Sequence, residues 1–327
     1  MKNGIIVDLN DRENSWLYPM KMVAADGRLV EESSTIAVGE GPDSLFCFTD
    51  ARMYAIPDGR NPDDVISLHE HRVGYETFFI DSGRAYLYTG GKKCLVTKGD
   101  ILCLQPYQAH GTVFVEPAKH RGSLHNMHSA NDTPAISALM GYEADALKNP
   151  EVSPFRSGGD FFRRERPVFK EVPAAEVAAV RNPARPTVFY EFEGVTMKQI
   201  SARWENGGVC ELWCADMAAG FHAEWMQCPK HREQLYVREG EVRITVYGED
   251  YTAYAGCLVN IPKFASHSLT ALSRAEVYDC CGQTMWEEFL QDYTSIRTYD
   301  PGRLKNPETL AALKERYGCQ IRSVGFA

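Results

Sequence analysis

Short runs of β-branched and aromatic residues, broken every few positions by glycine or proline, set the pattern of this chain. Arg84-Ala-Tyr-Leu-Tyr-Thr89 leads through Gly90-Gly91 into Lys93-Cys-Leu-Val-Thr97. Further on, Glu241-Val-Arg-Ile-Thr-Val-Tyr247 leads through Gly248-Glu-Asp250 into Tyr251-Thr-Ala-Tyr254. Such runs predict the strands of a sandwich or barrel. Gly99-Asp100 and Gly256 each open another strand, ending near Pro106 and Pro262. Proline is tolerated there because no ladder donor is needed. The pattern changes twice. Residues 141–186 contain Pro150, Pro154, Pro167, Pro173, Pro183 and Pro186 and read as an inter-domain connection, with a short helix predicted over Ala174–Val180. Arg163, Arg164 and Arg166 within it read as a solvated or subunit-facing patch. Near the end, Met285–Tyr293 has helical apolar spacing, and Asn306–Gly318 has an Asn cap, Pro in the first turn and Gly at the stop.

The strand pattern occurs twice. Glu76 and Glu233, Gly83 and Gly240, Gly99 and Gly256, and His110 and His267 are all 157 residues apart. Four anchors at one offset imply two copies of one structural unit. The expected division is a barrel over 1–140, the connection over 141–186, a second barrel over 187–282 and a helical extension over 283–327. A chain of 327 residues suits two domains.

Composition narrows the partners. Hydrophobic residues make up 44% and charged residues 24%, as in ordinary globular proteins. A net charge of −9 disfavours nucleic acid and anionic membranes. No apolar run approaches the roughly 20 residues of a membrane span, and the N-terminus has no signal-like apolar stretch. The ten cysteines show no CxxC pair. Together these features predict a cytoplasmic protein with reduced, mostly buried thiols. They leave a small-molecule partner and a homodimer or higher homo-oligomer open.

The chemistry is concentrated in His69-x-His71-x4-Glu76-x6-Gly83, followed by Gly99-x10-His110. Alternate strand residues share a face, so His69 and His71 point the same way. A turn at Gly74 brings Glu76 back to that face, and His110 arrives from a neighbouring strand end. Imidazoles with one carboxylate suit one divalent transition metal: Fe(II), Mn(II), Ni(II), Co(II) or Zn(II). The lack of thiolate ligands argues against a closed structural zinc site. His120, His125 and His128 lie in a polar stretch and read as loop residues, with one of them lining the active-site mouth as the lesser alternative.

These motifs resemble those of the cupin superfamily. The first runs from His69 to Gly83 with a four-residue spacer, and the second from Gly99 to His110. Asp63 stands where the first motif would open on glycine. Pro106 comes one residue late, and Gln108 and Phe114 replace the second motif's inner glycine and trailing asparagine. The resemblance implies an all-β chain of two double-stranded β-helix (jelly-roll) barrels, a bicupin, with a few peripheral helices, notably at the C-terminus. It carries metal-ligand roles to His69, His71, Glu76 and His110. The same offset gives Met226, Cys228, Glu233 and His267 in the second barrel, a degenerate site expected to hold no metal. His222 and Glu224 offer a rearranged alternative there, whereas His231 maps to a turn.

Two-barrel relatives of this kind include dioxygenases, decarboxylases, isomerases and non-catalytic binders, so the resemblance does not fix the reaction. The first expectation is an Fe(II)-type dioxygenase acting on a chelating phenol, enol or keto acid. Tyr75, Phe78, Tyr86, Tyr88 and Tyr107 are its candidate pocket lining. The alternative is a metal-dependent isomerase, epimerase or lyase of a sugar acid or α-keto acid, with Glu76 moving the proton. The third is a non-catalytic small-molecule binder.

Overall fold

The computed structural model describes residues 5–23, 28–41, 44–66, 68–71, 75–128, 160–162, 168–206, 211–226, 232–262, 264–280, 286–317 and 320–326. The chain forms two compact units, Ser15–Asn182 and Met1–Asn14 with Pro183–Ala327. Each is a barrel of two facing sheets, antiparallel but for one short edge pair, so the fold is all-β with a few C-terminal helices.

In the first unit one sheet orders Val180–Arg181, Ile101–Leu104, Tyr75–Ser82, Ala118–His128, Ser44–Met53, Leu29–Gly41 and Tyr18–Val23. The other orders Asp160–Phe162, His69–His71, His110–Phe114, Arg84–Thr89, Lys92–Thr97 and Lys170–Glu171. Their inner faces enclose Ile80, Ala85, Leu87, Val96, Leu102, Leu104 and Phe114. The expected connection over 141–186 lies partly outside the described residues, including Arg163, Arg164 and Arg166. Its described end belongs to this barrel: Lys170–Glu171 runs parallel to Lys92–Lys93, and Val180–Arg181 pairs with Leu102–Ile101. The predicted helix over Ala174–Val180 is a single 3-10 turn, Ala174–Glu176. Burial of Val172, Val177 and Ala179 in the barrel core draws the backbone out of helical geometry.

The second unit repeats this plan. One sheet orders Ile6–Asp8, Cys257–Ile261, Glu233–Glu239, Ala275–Asp279, Leu212–Met217, Val195–Ser201 and Val188–Phe192. The other orders Glu249–Tyr254, Glu241–Val246, Ser266–Ala271, Phe221–Met226 and Gln320–Phe326. Ile6–Asp8 therefore sits in the second barrel, a membership that the span 1–140 does not contain. The last strand, inside the expected helical extension, pairs with Phe221–Met226. The 157-residue repeat extends to the backbone: φ is positive at Gly83 and Gly240, Gly90 and Tyr247, Gly91 and Gly248, Gly99 and Gly256, and Tyr107 and Phe264. At the two hairpin tips both central residues have φ above zero, which matches the right-handed twist of the flanking strands.

The helices Trp286–Tyr299 and Pro307–Tyr317 pack through Trp286, Phe289, Leu290, Leu313 and Tyr317 against Trp213. Asn306 caps the second by accepting from the Glu308 N–H at 2.8 Å. Glu211 holds the first. Its Oε2 accepts from the Trp286 backbone N–H at 3.0 Å and from the Trp213 indole at 2.8 Å. Glu211 is 1% exposed, and burial pushes its carboxyl up to about 7 despite the Trp213 hydrogen bond. The folded chain thus binds this proton more tightly than the unfolded one. Stability is fully present below about 4.5 and is lost as pH rises through about 7, by on the order of 3 kcal/mol. Glu211→Gln is expected to remove that slope. Thermal midpoints of wild type and variant, measured across this window, should move apart with pH in the variant's favour. A pH-independent difference would rule the linkage out.

The six described cysteines are buried and form no disulfide. No helix among the described residues is long and apolar enough to cross a membrane.

Candidate metal centre

Opposed residues in an antiparallel ladder project from the same face. His110 stands opposite His69 on one side and Thr89 on the other, and Glu76 stands opposite Leu104. Leu104, with Leu87 two residues before Thr89, is barrel core, so His69, Glu76 and His110 all face inward. Their ligand atoms lie within 4.8 Å of one another. The backbone of His71 is in the same strand as His69; its side chain lies outside the described residues.

The hydrogen bonds around His110 decide its tautomer. Its Nδ1 is 2.8 Å from the Gln108 carbonyl oxygen, which only accepts, so Nδ1 carries the hydrogen. A neutral ring then presents the Nε2 lone pair to Glu76 Oε2, 3.0 Å away. Two electron-rich atoms at that distance, with His110 1% exposed, call for a cation or a proton between them. Two ligands each about 2.1 Å from one ion and at right angles lie about 3.0 Å apart. The pair therefore fits a divalent metal, and the carbonyl-anchored imidazole is the usual support of such a ligand. His69 completes the cluster, its ring centroid 4.4 Å from that of His110.

The turn before His110 is braced by a residue outside the family pattern. Gln108 accepts from the Gln105 N–H at 3.0 Å and donates to Thr89 Oγ1 at 2.9 Å. Asp63, at the missing glycine, accepts from the Tyr88 hydroxyl at 2.7 Å and the Lys93 ammonium at 3.0 Å. The Tyr88 hydrogen bond and the Lys93 ammonium, outweighing burial, hold its carboxyl below the usual range.

Of the five aromatic candidates, the inner wall holds one. Phe78 packs against the barrel core, 4.9 Å from the His120 ring. Tyr86 and Tyr88 alternate with the inward Ala85 and Leu87, so they project outward and pack with Leu68 and Val113. Tyr75, next to Glu76, is fully buried on the opposite face. Tyr107 occupies the left-handed turn and is 66% exposed.

Two inner-wall residues were not among the candidates. His120 is in a strand rather than a loop, opposite Ala51 and Ile80, and stacks on Phe114 with ring centroids 5.7 Å apart. Burial pushes its imidazole down to about 4, although Glu76, Asp81 and Asp50 pull the other way. Glu31 is 7% exposed. Burial raises its carboxyl, the Ser33 hydrogen bond opposes this, and the Glu76 charge adds to it. With Ser33, Thr35 and Thr49 they give this wall a polar surface, where Thr35 and Thr49 hydroxyls meet at 2.8 Å. His125 and His128 share the His120 strand, and their side chains lie outside the described residues.

The second barrel keeps half the cluster. His267 Nδ1 donates to the Ala265 carbonyl at 3.1 Å, and its Nε2 is 2.9 Å from Glu233 Oε2. The strand preceding Glu233 has slipped: His267 pairs with Trp225, one residue before Met226, where His110 pairs with His69. Cys228 and His231 and the side chains of Met226 and Glu224 lie outside the described residues. His222 alternates with the core residues Phe221 and Ala223, so it faces outward; its Nδ1 is 2.9 Å from Thr270 Oγ1. Among the described residues, His69, Glu76 and His110 are the one cluster of three potential ligands.

No family model and no curated protein matches the chain. Solved structures do. One concerning the Mn(II) centres of Bacillus subtilis oxalate decarboxylase shares 13% identity, covers 85% of this chain and 77% of its own, and superposes with a TM-score of 0.50. Another of that enzyme at pH 4.6 also shares 13% identity, with coverage of 85% and 76% and a TM-score of 0.50. At this identity the likeness establishes the cupin-type two-barrel fold.

Proposed function

We propose that this protein is a metal-dependent enzyme whose N-terminal barrel moves a proton on a small, oxygen-rich substrate such as an α-keto acid or dicarboxylate, as a lyase or isomerase. The observation that carries this reading is the polar inner wall beside the metal cluster, with Glu31 and His120 buried in it. His69, Glu76 and His110 would hold the ion, with His71 as the fourth ligand. When bound, the metal supplies a Lewis acid for substrate oxygens; Mn(II), named for the structural relatives, stands beside Fe(II) as a candidate. Gln108 keeps the His110 ring turned so that Nε2 faces inward. Glu31, whose carboxyl retains its proton above the usual range, is suited to donate it. His120 is neutral above about pH 4 and is suited to accept one. Glu76, as a ligand, is less available for the acid–base role first assigned to it. Thr35 and Thr49 offer hydroxyls to substrate oxygens.

The dioxygenase reading keeps the N/O ligand set in its favour, but of the five aromatics expected to line its pocket only Phe78 is on the inner wall. Protein reconstituted with Mn(II) or Fe(II) should be assayed with oxalate and α-keto acids for carbon dioxide release or isomerised product, and with catechols and diketones for oxygen uptake. Glu31→Gln is expected to lower kcat by about 100-fold while metal content stays at the wild-type level. Oxygen consumption matching turnover on a catechol would replace the lyase reading with the dioxygenase one.

A further inference from the structure

The two barrels hold the same Glu–His pair but line it in opposite ways. Ladder positions can be matched through the paired strands. Met53 stands opposite Ala118, and Met217 opposite Ala275. From that match, Glu31 corresponds to Val195, Ser33 to Met197, Thr49 to Trp213 and His120 to Val277. Four polar residues of the first wall thus have apolar counterparts in the second, while Thr35 corresponds to the polar Gln199.

These substitutions line a partly open cavity of about 90 Å³. Met197, Trp213, Met217, Phe221, Leu235 and Leu269 line it from the sheets. Trp286, Leu290 and Tyr293 close it from one face of the helix Trp286–Tyr299. Two carboxylates reach it, and both have partners. Asp279 accepts from the Trp286 indole at 2.6 Å, and Glu233 faces His267. A charged or strongly polar guest would meet hydrocarbon on most sides and carboxylates at the remainder. An empty apolar cavity costs stability in proportion to its volume. Closed apolar cavities stay dry and accept molecules such as benzene, and this lining offers the same kind of apolar contact. Aromatic side chains supply ring faces and edges, and Met197 and Met217 adapt to an irregular guest.

We propose that the C-terminal barrel is a receptor for a small uncharged molecule with a single aromatic ring, held between the barrel wall and the helix Trp286–Tyr299. The proposal is independent of metal chemistry in the other unit. The probe is fluorobenzene, titrated against full-length protein and followed by ¹⁹F NMR and by Trp213 and Trp286 fluorescence. Saturable binding of one molecule per chain is expected, weakened at least tenfold by Ala215→Leu, which fills the cavity, and unchanged by His110→Ala. Ala223→Val supplies a second filled cavity if Ala215→Leu does not fold. No saturable binding up to the solubility of fluorobenzene would overturn the proposal. So would equal affinity in a folded filled variant, or tighter binding of benzoate, which would indicate a polar anion site instead.

Discussion

His110→Ala is expected to strip the metal from the N-terminal barrel, lowering affinity by about 100-fold or more, with activity falling alongside. Three features concentrate the effect on this residue. Its Nε2 is 3.0 Å from Glu76 Oε2, its ring lies against that of His69, and its Nδ1–H is fixed by the Gln108 carbonyl. Alanine therefore removes a ligand already turned toward the site, without disturbing the ladder to Thr89. His267→Ala is the matched control, because it deletes the same position of the degenerate barrel. Metal analysis of the purified variants should show loss in the first and wild-type stoichiometry in the second, with circular dichroism unchanged in the first. Wild-type metal content in His110→Ala would refute the ligand assignment.

Gly240→Ala is expected to destabilise the C-terminal barrel by about 3 kcal/mol or more, whereas Gly248→Ala should cost about 1 kcal/mol. Both residues have left-handed backbones, with φ of 79° and 82°. They differ in surroundings. A Cβ on Gly240 would collide with the Arg274 carbonyl oxygen and lie 2.7 Å from Ala275 Cα, while nothing comes within 4 Å at Gly248. Backbone cannot move aside as a flexible side chain can, so Gly240 carries steric cost beyond the conformational one. Chemical denaturation of the two variants separates the contributions. Equal losses would mean that left-handed geometry alone explains the glycine. Gly83, with Pro117 O at 2.6 Å from a Cβ, repeats the constraint in the other barrel.

The repeat was legible because turn geometry demands particular residues at fixed places. Gly83 and Gly240 need room against a neighbouring strand, and that need leaves a mark in the sequence at one offset. The wall chemistry was not legible, because the offset does not hold upstream. Met53 and Met217 are 164 apart rather than 157, and Trp225 takes the ladder place of His69 at 156. Changes in loop length erase the correspondence between Thr49 and Trp213 until the strands are paired. Tyr86 and Tyr88 misled for another reason: their strand is apolar on both faces, so alternation cannot say which face is inside. His120 was hidden by the opposite case. Lys119 and Arg121 beside it bind Asp50 and Asp81 on the outer face, so the strand is polar on both sides and looked like a loop.

The seating of residues 6–8 has a consequence for how the chain is made. Their ladder partners are residues 257–259, reinforced by the Leu9 N–H to the Gly256 carbonyl and the Asn260 N–H to the Ile5 carbonyl. During synthesis this arm leaves the ribosome some 250 residues ahead of its partner strand. The barrel over 15–182 can close in the meantime from contacts within its own span. The arm then docks after the strand Cys257–Ile261 has formed, a late, long-range event of the kind that slows folding. Among the described strands of the C-terminal barrel, the earliest made is thus seated only when Ser266–Ala271, Ala275–Asp279 and Gln320–Phe326 alone remain to be added.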